Sequence, residues 1–290
     1  MKFFIIIPAH NEAENLLFCL ESLVKQTFRD FQVIVVNDGS TDDTAKIADK
    51  FCTAHQQFSV VHLPVSAHQP GAKVVRTFNE GMKRLPQQAE IICKYDADII
   101  FPTDYLEKIN QEYERNPRAG MVAGLVRIPA KPFEETKTFD FDYDEDWIFE
   151  NISSKNHVRG PIKSYRKKCF EDMNGLRPVL GWDNIDVMLA KMHGWETVTV
   201  KDLWVKHLRP TAYKYKSQRA EKLGEYFYNI GLNLPLMVVS SAKSALKNRS
   251  VADFLITLKS FLKQKTERPL SEKEIQYIRK LRCKQMINRK

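Results

Sequence analysis

Residues 2–12 read Lys2-Phe3-Phe4-Ile5-Ile6-Ile7-Pro8-Ala9-His10-Asn11-Glu12. The apolar run from Lys2 to Ile7 suits a strand buried on both faces. Polar residues follow at once, and then Leu16, Leu17, Leu20, Leu23 and Val24 recur at helical spacing. The alternation continues downstream. Phe31 to Val36 reads as a second strand, and Ser40-Thr41-Asp42-Asp43, with Ser40 and Asp42 as caps, opens a helix carrying Ile47, Ala48 and Phe51. Ser59 to Leu63 is a third strand, a helix runs from Ala72 to Lys83, and Glu90 to Tyr95 is a fourth strand that ends in Asp96-Ala97-Asp98. Strand and helix in turn, with short connections, predict an α/β fold: a Rossmann-like, mostly parallel sheet with helices on both faces. Ligands of such sheets collect at the carboxyl ends of the strands. His10-Asn11-Glu12, Asn37-Asp38-Gly39-Ser40 and Asp96-Ala97-Asp98 should therefore share one rim.

Beyond Gly120 the periodicity weakens. An acidic stretch from Glu134 through Asp140, Asp142, Asp144, Glu145 and Asp146 to Glu150 reads either as a loop or short helix across the mouth of the site, or as a solvated loop. Gly160 to Tyr165 reads as a strand, Lys168 to Met173 and Asp186 to His193 as helices, and Thr197 to Val200 as a strand. Phe254, Leu255, Leu258, Phe261 and Leu262 form an apolar stripe, and Ser271-Glu272-Lys273-Glu274 is a capping box for a last, basic helix.

Composition bounds the partners. The chain has 290 residues, 43% hydrophobic and 28% charged, enough apolar material for one large core or two modest ones. Its five cysteines are scattered, with no C-x-x-C pair, which suits a reducing compartment and argues against a disulfide framework or a thiolate zinc site. The N-terminal apolar run is too short for a secretory signal, and no apolar stretch reaches the roughly 20 residues of a spanning helix. A cytoplasmic protein, with the inner face of a membrane as a resting place, is expected. From Lys206 onward there are 20 Lys and Arg against 6 Asp and Glu, leaving 25 against 30 before it. Such a tail suits an anionic membrane surface, or helices packed on the rest of the chain or in a homo-oligomer. No nucleic-acid module accompanies it, so nucleic acid is not expected.

Two carboxylates one residue apart at a strand end, Asp96 and Asp98, can reach one hard cation, with phosphate oxygens completing its shell. Asp38, one residue off an equally apolar strand, is placed to accept hydrogen bonds from a base or ribose, although a turn with a helix cap uses the same residues.

Together, Ile5-Ile6-Ile7-Pro8-Ala9-His10-Asn11-Glu12, Val33-Ile34-Val35-Val36-Asn37-Asp38-Gly39-Ser40-Thr41-Asp42 and Lys94-Tyr95-Asp96-Ala97-Asp98 closely resemble glycosyltransferase family 2, the large group with the GT-A fold. Gly71-Ala72-Lys73 with Asn79-Glu80-Gly81 looks like a divergent form of the family's segment between the second and fourth strands. The resemblance covers roughly the first 210 residues. It implies a GT-A catalytic domain over 1–212, with a nucleotide-binding half at 1–100 and an acceptor-binding half at 101–212, and leaves 213–290 as a basic amphipathic helical extension. It implies that Pro8, Ala9, His10, Glu12 and Asp38 hold base and ribose. Asp96 and Ala97 would lie at the ribose, with Asp96 also near the metal, and Asp98 would be a direct ligand of Mn2+ or Mg2+. Lys73 would stand beside the uracil or diphosphate.

The family also places an acidic base at the head of a later helix, where it deprotonates an acceptor hydroxyl attacking the anomeric carbon from the face opposite the leaving diphosphate, inverting the configuration. The usual acidic pair is Asp183-Asn184 here, and an amide cannot take the proton. Asp183, then Asp186, are the candidates; capping and dipole complementation at this helix N-terminus are the structural alternative. Trp182 is placed either to stack on an acceptor sugar or to brace the helix. His207 is a candidate further metal ligand, and Arg209 a guanidinium for the departing diphosphate. The resemblance thus implies a metal-dependent inverting transferase that carries a sugar from a nucleotide sugar, UDP-linked by preference, to a glycan or lipid-linked acceptor in polysaccharide biosynthesis. A nucleotidyltransferase making the sugar nucleotide would need a glycine-rich loop after the first strand, where Pro8 to Glu12 is acidic. A non-catalytic nucleotide-binding subunit is favoured by Asn184 alone.

Overall fold

The computed structural model describes residues 1–67, 69–130, 139–141, 146–209 and 218–287. The first half is built from β1 (Phe3–Ala9), α1 (Leu16–Val24), β2 (Phe31–Asp38), α2 (Thr44–Ala54), β3 (Phe58–Leu63), α3 (Ala72–Met82) and β4 (Ile91–Tyr95). The buried β-branched and aromatic runs pair in parallel, β3-β2-β1-β4, as their unbroken apolar pattern demands. α3 lies on β1 and β2 so closely that its Gly81 stands against Ile6 and Val36, where a side chain would collide.

The parallel order stops there. β5 (Ile99–Ile100), α4 (Tyr105–Arg115), β6 (Ala119–Pro129), β7 (Trp147–Phe149), β8 (Ile162–Arg166), α5 (Lys167–Asp172), α6 (Trp182–Met192) and β9 (Glu196–His207) continue the sheet as β4-β8-β6-β9-β5. In this half β8 is antiparallel to both β4 and β6, β9 runs parallel to β6, and β5 is antiparallel to β9. The sheet is therefore mixed: all pairs among β1 to β4 are parallel, whereas in the second half only β6 and β9 are.

Two local expectations need correction. Ser40 does not cap α2: its Oγ accepts from the Asn11 N–H at 3.0 Å, tying the loops after β1 and β2 together, while Asp42 accepts from the Thr44 N–H at 3.0 Å. α6 begins at Trp182, four residues before the expected start, because Gly181 in the left-handed region (φ 89°) turns the chain into the helix. The acidic stretch falls partly outside the described residues, including Glu134, Asp142, Asp144 and Glu145; of the rest, Glu150 is fully packed inside.

The C-terminal extension is α7 (Arg219–Asn229), α8 (Leu234–Asn248), α9 (Val251–Lys263) and α10 (Glu272–Ile287). The capping box is formed, with the Ser271 N–H donating to Glu274 Oε2 at 2.7 Å. The extension is packed on the body, for Phe227, Ile230, Leu232, Phe261, Ile275 and Ile278 belong to the same apolar core as the sheet. Arg177, from the body, donates to Pro269 O at 3.1 Å and pairs with Glu274 at 2.7 Å. No helix of the described residues is long and apolar enough to cross a membrane.

Candidate active site

At the carboxyl ends of β1, β2 and β4 lies a cavity of about 490 Å3. Pro8, Ala9, His10, Glu12, Asp38, Lys73, Asp96, Ala97, Asp98 and Arg209 all line it. Parallel pairing is what gathers them: Ala9 lies opposite Asn37, and β4 runs beside β1 in the same direction, so all three loops open on one rim.

On the β2 side, Asp38 is nearly buried and held. Thr77 Oγ1 donates to its Oδ2 at 2.8 Å, Lys73 Nζ stands 3.5 Å from the same oxygen, and His10 Nδ1 lies 2.7 Å from its backbone carbonyl. On the other side the short β5–β9 pairing sets Ile99 opposite His207, and the Leu208 N–H donates to Asp98 O at 2.9 Å. Asp98 and His207, far apart in sequence, thereby face each other, with His207 Nε2 3.5 Å from Asp98 Oδ1. Arg209, two residues on, donates from Nε to Asp98 Oδ2 at 3.1 Å and also pairs with Glu12.

Charges this close in a buried place shift one another. Burial opposes ionisation of Asp98, yet His207 and Arg209 outweigh it and hold the carboxyl below its ordinary range. Burial likewise opposes a charged His207, but Asp98 and Glu150 push it up to about 9. Glu12 goes the other way: burial and the Asp98 charge raise it to about 7, against the pull of Arg209.

Asp96, Asp98 and His207 each offer one ligand atom, all within 4.8 Å of one another. That spread exceeds twice the ~2.1 Å bond of a Mg2+-like ion by about 0.6 Å, which a side-chain adjustment of that size closes. Two carboxylate oxygens suit a hard divalent ion such as Mn2+ or Mg2+, and the imidazole favours the transition metal of the two. His207 Nδ1 has no partner at hydrogen-bond distance, but Glu150 Oε2 stands 3.5 Å away, and Arg159 grips that oxygen at 2.6 Å. A carboxylate behind the second ring nitrogen is how metal-bound histidines are commonly oriented. The residues fit a divalent ion.

The expected catalytic residues separate. Asp183, in the first turn of α6, stands beside the cavity and not in its lining, although Leu180 just before it is a lining residue. Gly160 fits against Asp183 so closely that a side chain there would touch it, and Lys94 links Gly160 O at 3.4 Å to the Asp96 carboxylate. Asp186 is withdrawn: fully buried, its two oxygens accept from Lys163 Nζ at 2.7 Å each, from Tyr165 Oη at 2.7 Å and from the Val187 N–H at 2.7 Å. Every acceptor site is in use, which is a structural ion pair's arrangement. Trp182 is buried as well, its ring 5.2 and 5.3 Å from the Lys94 and Lys163 ammonium groups, and does not line the cavity.

The cavity also includes Gln69, Pro70, Gly71, Val74, Thr77 and Leu180, and Lys222 from α7. Gly71 belongs to the Gly71-Ala72-Lys73 segment; none of the others belongs to a motif in the sequence. Thr77 sits one turn after Lys73 on α3 and could have been found by helical spacing; Lys222 and the Glu150–Arg159 pair come from distant segments with no local signal.

The comparisons accord with this geometry. The Glycosyl transferase family 2 model matches residues 4–173, more than half of the chain. Poly-beta-1,6-N-acetyl-D-glucosamine synthase of Staphylococcus epidermidis is 30% identical over 126 residues, 43% of this chain and 29% of that protein, so less than a third of the relative is spanned. Among solved structures, mannosyltransferase PcManGT from Pyrobaculum calidifontis, in complex with GDP-Man and Mn2+, superposes with a TM-score of 0.59 at 15% identity, covering 100% of this chain and 88% of that one. S. aureus TarS 1-349 in complex with UDP-GlcNAc gives 0.56 at 20% identity, covering 91% and 76%. With the family model matching more than half of its length, the chain belongs to glycosyl transferase family 2.

Proposed function

We propose that the protein is a metal-dependent, inverting transferase that moves a sugar from a nucleotide sugar to a hydroxyl of a glycan or lipid-linked acceptor. The observation that carries this reading is the single cavity shared by Asp38, Asp96, Asp98 and Arg209, with His207 closing the Asp96–Asp98 cluster behind it. A base and ribose fit the Asp38 side, where Thr77 and Lys73 fix the carboxylate as an acceptor. A diphosphate belongs at Asp96 and Asp98. Bound there, Mn2+ or Mg2+ would neutralise the diphosphate oxygens. UDP is the preferred nucleotide, supported by the TarS relative that binds UDP-GlcNAc, while PcManGT, which binds GDP-Man, keeps guanine nucleotides in the test. Polysaccharide synthesis is supported by the staphylococcal synthase.

Asp183 is the base in this reading. Asp186 has no oxygen to spare, and Asn184, in the same first turn, cannot take a proton. The acceptor oxygen bonds to the anomeric carbon, its proton passes to the Asp183 carboxylate, and the bond to the diphosphate oxygen breaks with its electron pair leaving on the nucleoside diphosphate. Arg209 stands at the cavity wall, where its guanidinium can share that negative charge. The test is hydrolysis of a panel of UDP- and GDP-sugars with Mn2+, comparing wild type with Asp183→Asn. Hydrolysis or transfer lowered by about 100-fold or more, with nucleotide affinity unchanged, supports Asp183 as base; equal rates remove it, and no turnover of any nucleotide sugar removes the donor assignment.

A further inference from the structure

Eight of the twelve large apolar side chains that stand exposed among the described residues lie on one hairpin, α8–α9. The hairpin is built, not frayed. Asn233 caps α8 by accepting from the Leu236 N–H, Arg249 ends it in the left-handed region, and Ser250 caps α9 by accepting from the Asp253 N–H at 3.1 Å. Its inner faces are spoken for: Met237 and Ala245 are buried, Thr257 Oγ1 donates to Ala220 O at 3.0 Å, and Ser260 Oγ to Glu221 O at 2.7 Å. The outer stripes are apolar at helical spacing, Val239 and Leu246 on α8 and Val251, Leu255 and Leu262 on α9. Leu246 (80% exposed) and Val251 (78%) flank the turn at the tip and are the most exposed large apolar residues on the hairpin.

Charge says what covers them. Lys243, Lys247, Arg249, Lys259 and Lys263 are all exposed on the same hairpin, and its one acid, Asp253, accepts from Asn248 Nδ2 at 3.0 Å. A second copy of the chain would bring two five-cation surfaces together, and a nucleic acid would leave the leucines against phosphate. Apolar residues rimmed by lysines match the interface of an anionic bilayer, where side chains enter the acyl boundary and ammonium groups meet the headgroups. We propose that the α8–α9 hairpin is the docking surface for an anionic lipid bilayer, entered at its tip by Leu246 and Val251. The last helix, basic as it is, has no such part: Ile275 and Ile278 turn its apolar side into the core. None of the hairpin residues lines the cavity, so the proposal stands or falls apart from the donor assignment.

The full chain is sedimented with vesicles of phosphatidylcholine alone and of phosphatidylcholine with about one third phosphatidylglycerol. Wild type should pellet with the anionic vesicles only and be released as salt is raised from about 0.1 M to 0.5 M. Leu246→Ser/Val251→Ser should lower the partition coefficient at least about tenfold, and Lys243→Gln/Lys247→Gln/Lys259→Gln on the order of a hundredfold, with donor hydrolysis and circular dichroism unchanged in both. Wild type that ignores anionic vesicles, or either variant pelleting like wild type, overturns the proposal. So does a dimer in sedimentation velocity that Leu246→Ser/Val251→Ser dissolves without any change in vesicle binding, since the face would then belong to a second copy. The salt release of wild type needs no variant to fold.

Discussion

Asp98 shows how far a single residue can be read ahead of its structure. Its place after an apolar strand marks it as a rim carboxylate, but sequence gives no hint that it is buried between His207 and Arg209. Asp98→Asn should therefore weaken Mn2+ binding at least about tenfold and also cost stability, by up to roughly 3 kcal/mol as one partner of a buried ion cluster is lost. Calorimetric titration with Mn2+ and a denaturant curve read the two effects. Glu150 was legible only as the end of an acidic run, because the strand pairing that carries it to His207 is long-range. Because its carboxylate stands behind the His207 ring, Glu150→Gln should lower Mn2+ affinity by about 10- to 100-fold, and an unchanged isotherm would exclude that role. His157 provides a pH test. Burial first, then Lys163, pulls it down to about 4 from 6.5. The unfolded chain thus binds more protons between these values, so the stability of the neutral ring is full above about 6.5 and drains as pH falls towards 4. Wild type should lose denaturant resistance relative to His157→Gln across that window, and parallel curves would contradict it.

Elements follow sequence where local chemistry suffices. Continuous apolar runs gave β1, β2 and β4, and the Ser271 capping box formed as read. β5 resisted reading, since a two-residue strand carries no periodicity and its partner is more than 100 residues away, and β9, read only over Thr197 to Val200, runs on to His207. The start of α6 was missed for another reason: Gly181 acts through its positive φ and not through a capping side chain. A Cβ at Gly181 would lie 2.2 Å from Tyr226 Cδ2. Gly181→Ala should thus push α7 away from α6 and destabilise by about 1–3 kcal/mol, seen as a lower thermal midpoint, with weaker donor hydrolysis because Asp183 and Lys222 ride on those two helices.

At the scale of the whole molecule, charge asymmetry divided the chain at a point where packing does not. The basic last third reads as a tail, yet α7 supplies Lys222 to the cavity and α10 seals the core. A chain ending at Leu270 should lose the burial of Ile275 and Ile278, worth roughly 1.5–3 kcal/mol each, and unfold at lower denaturant. Composition could not separate that helix from the hairpin before it, because both are rich in lysine and leucine-like residues and differ only in what lies against them.

In the proposed function one site holds a nucleotide through Asp38 and a divalent ion through Asp96, Asp98 and His207. Titration of UDP and GDP into the protein with and without Mn2+, for wild type and Asp98→Asn, measures it directly. The expected result is nucleotide binding strengthened at least about tenfold by Mn2+ in wild type, with that gain gone in the variant. Nucleotide affinity indifferent to metal, or no affinity for either nucleotide, would contradict it.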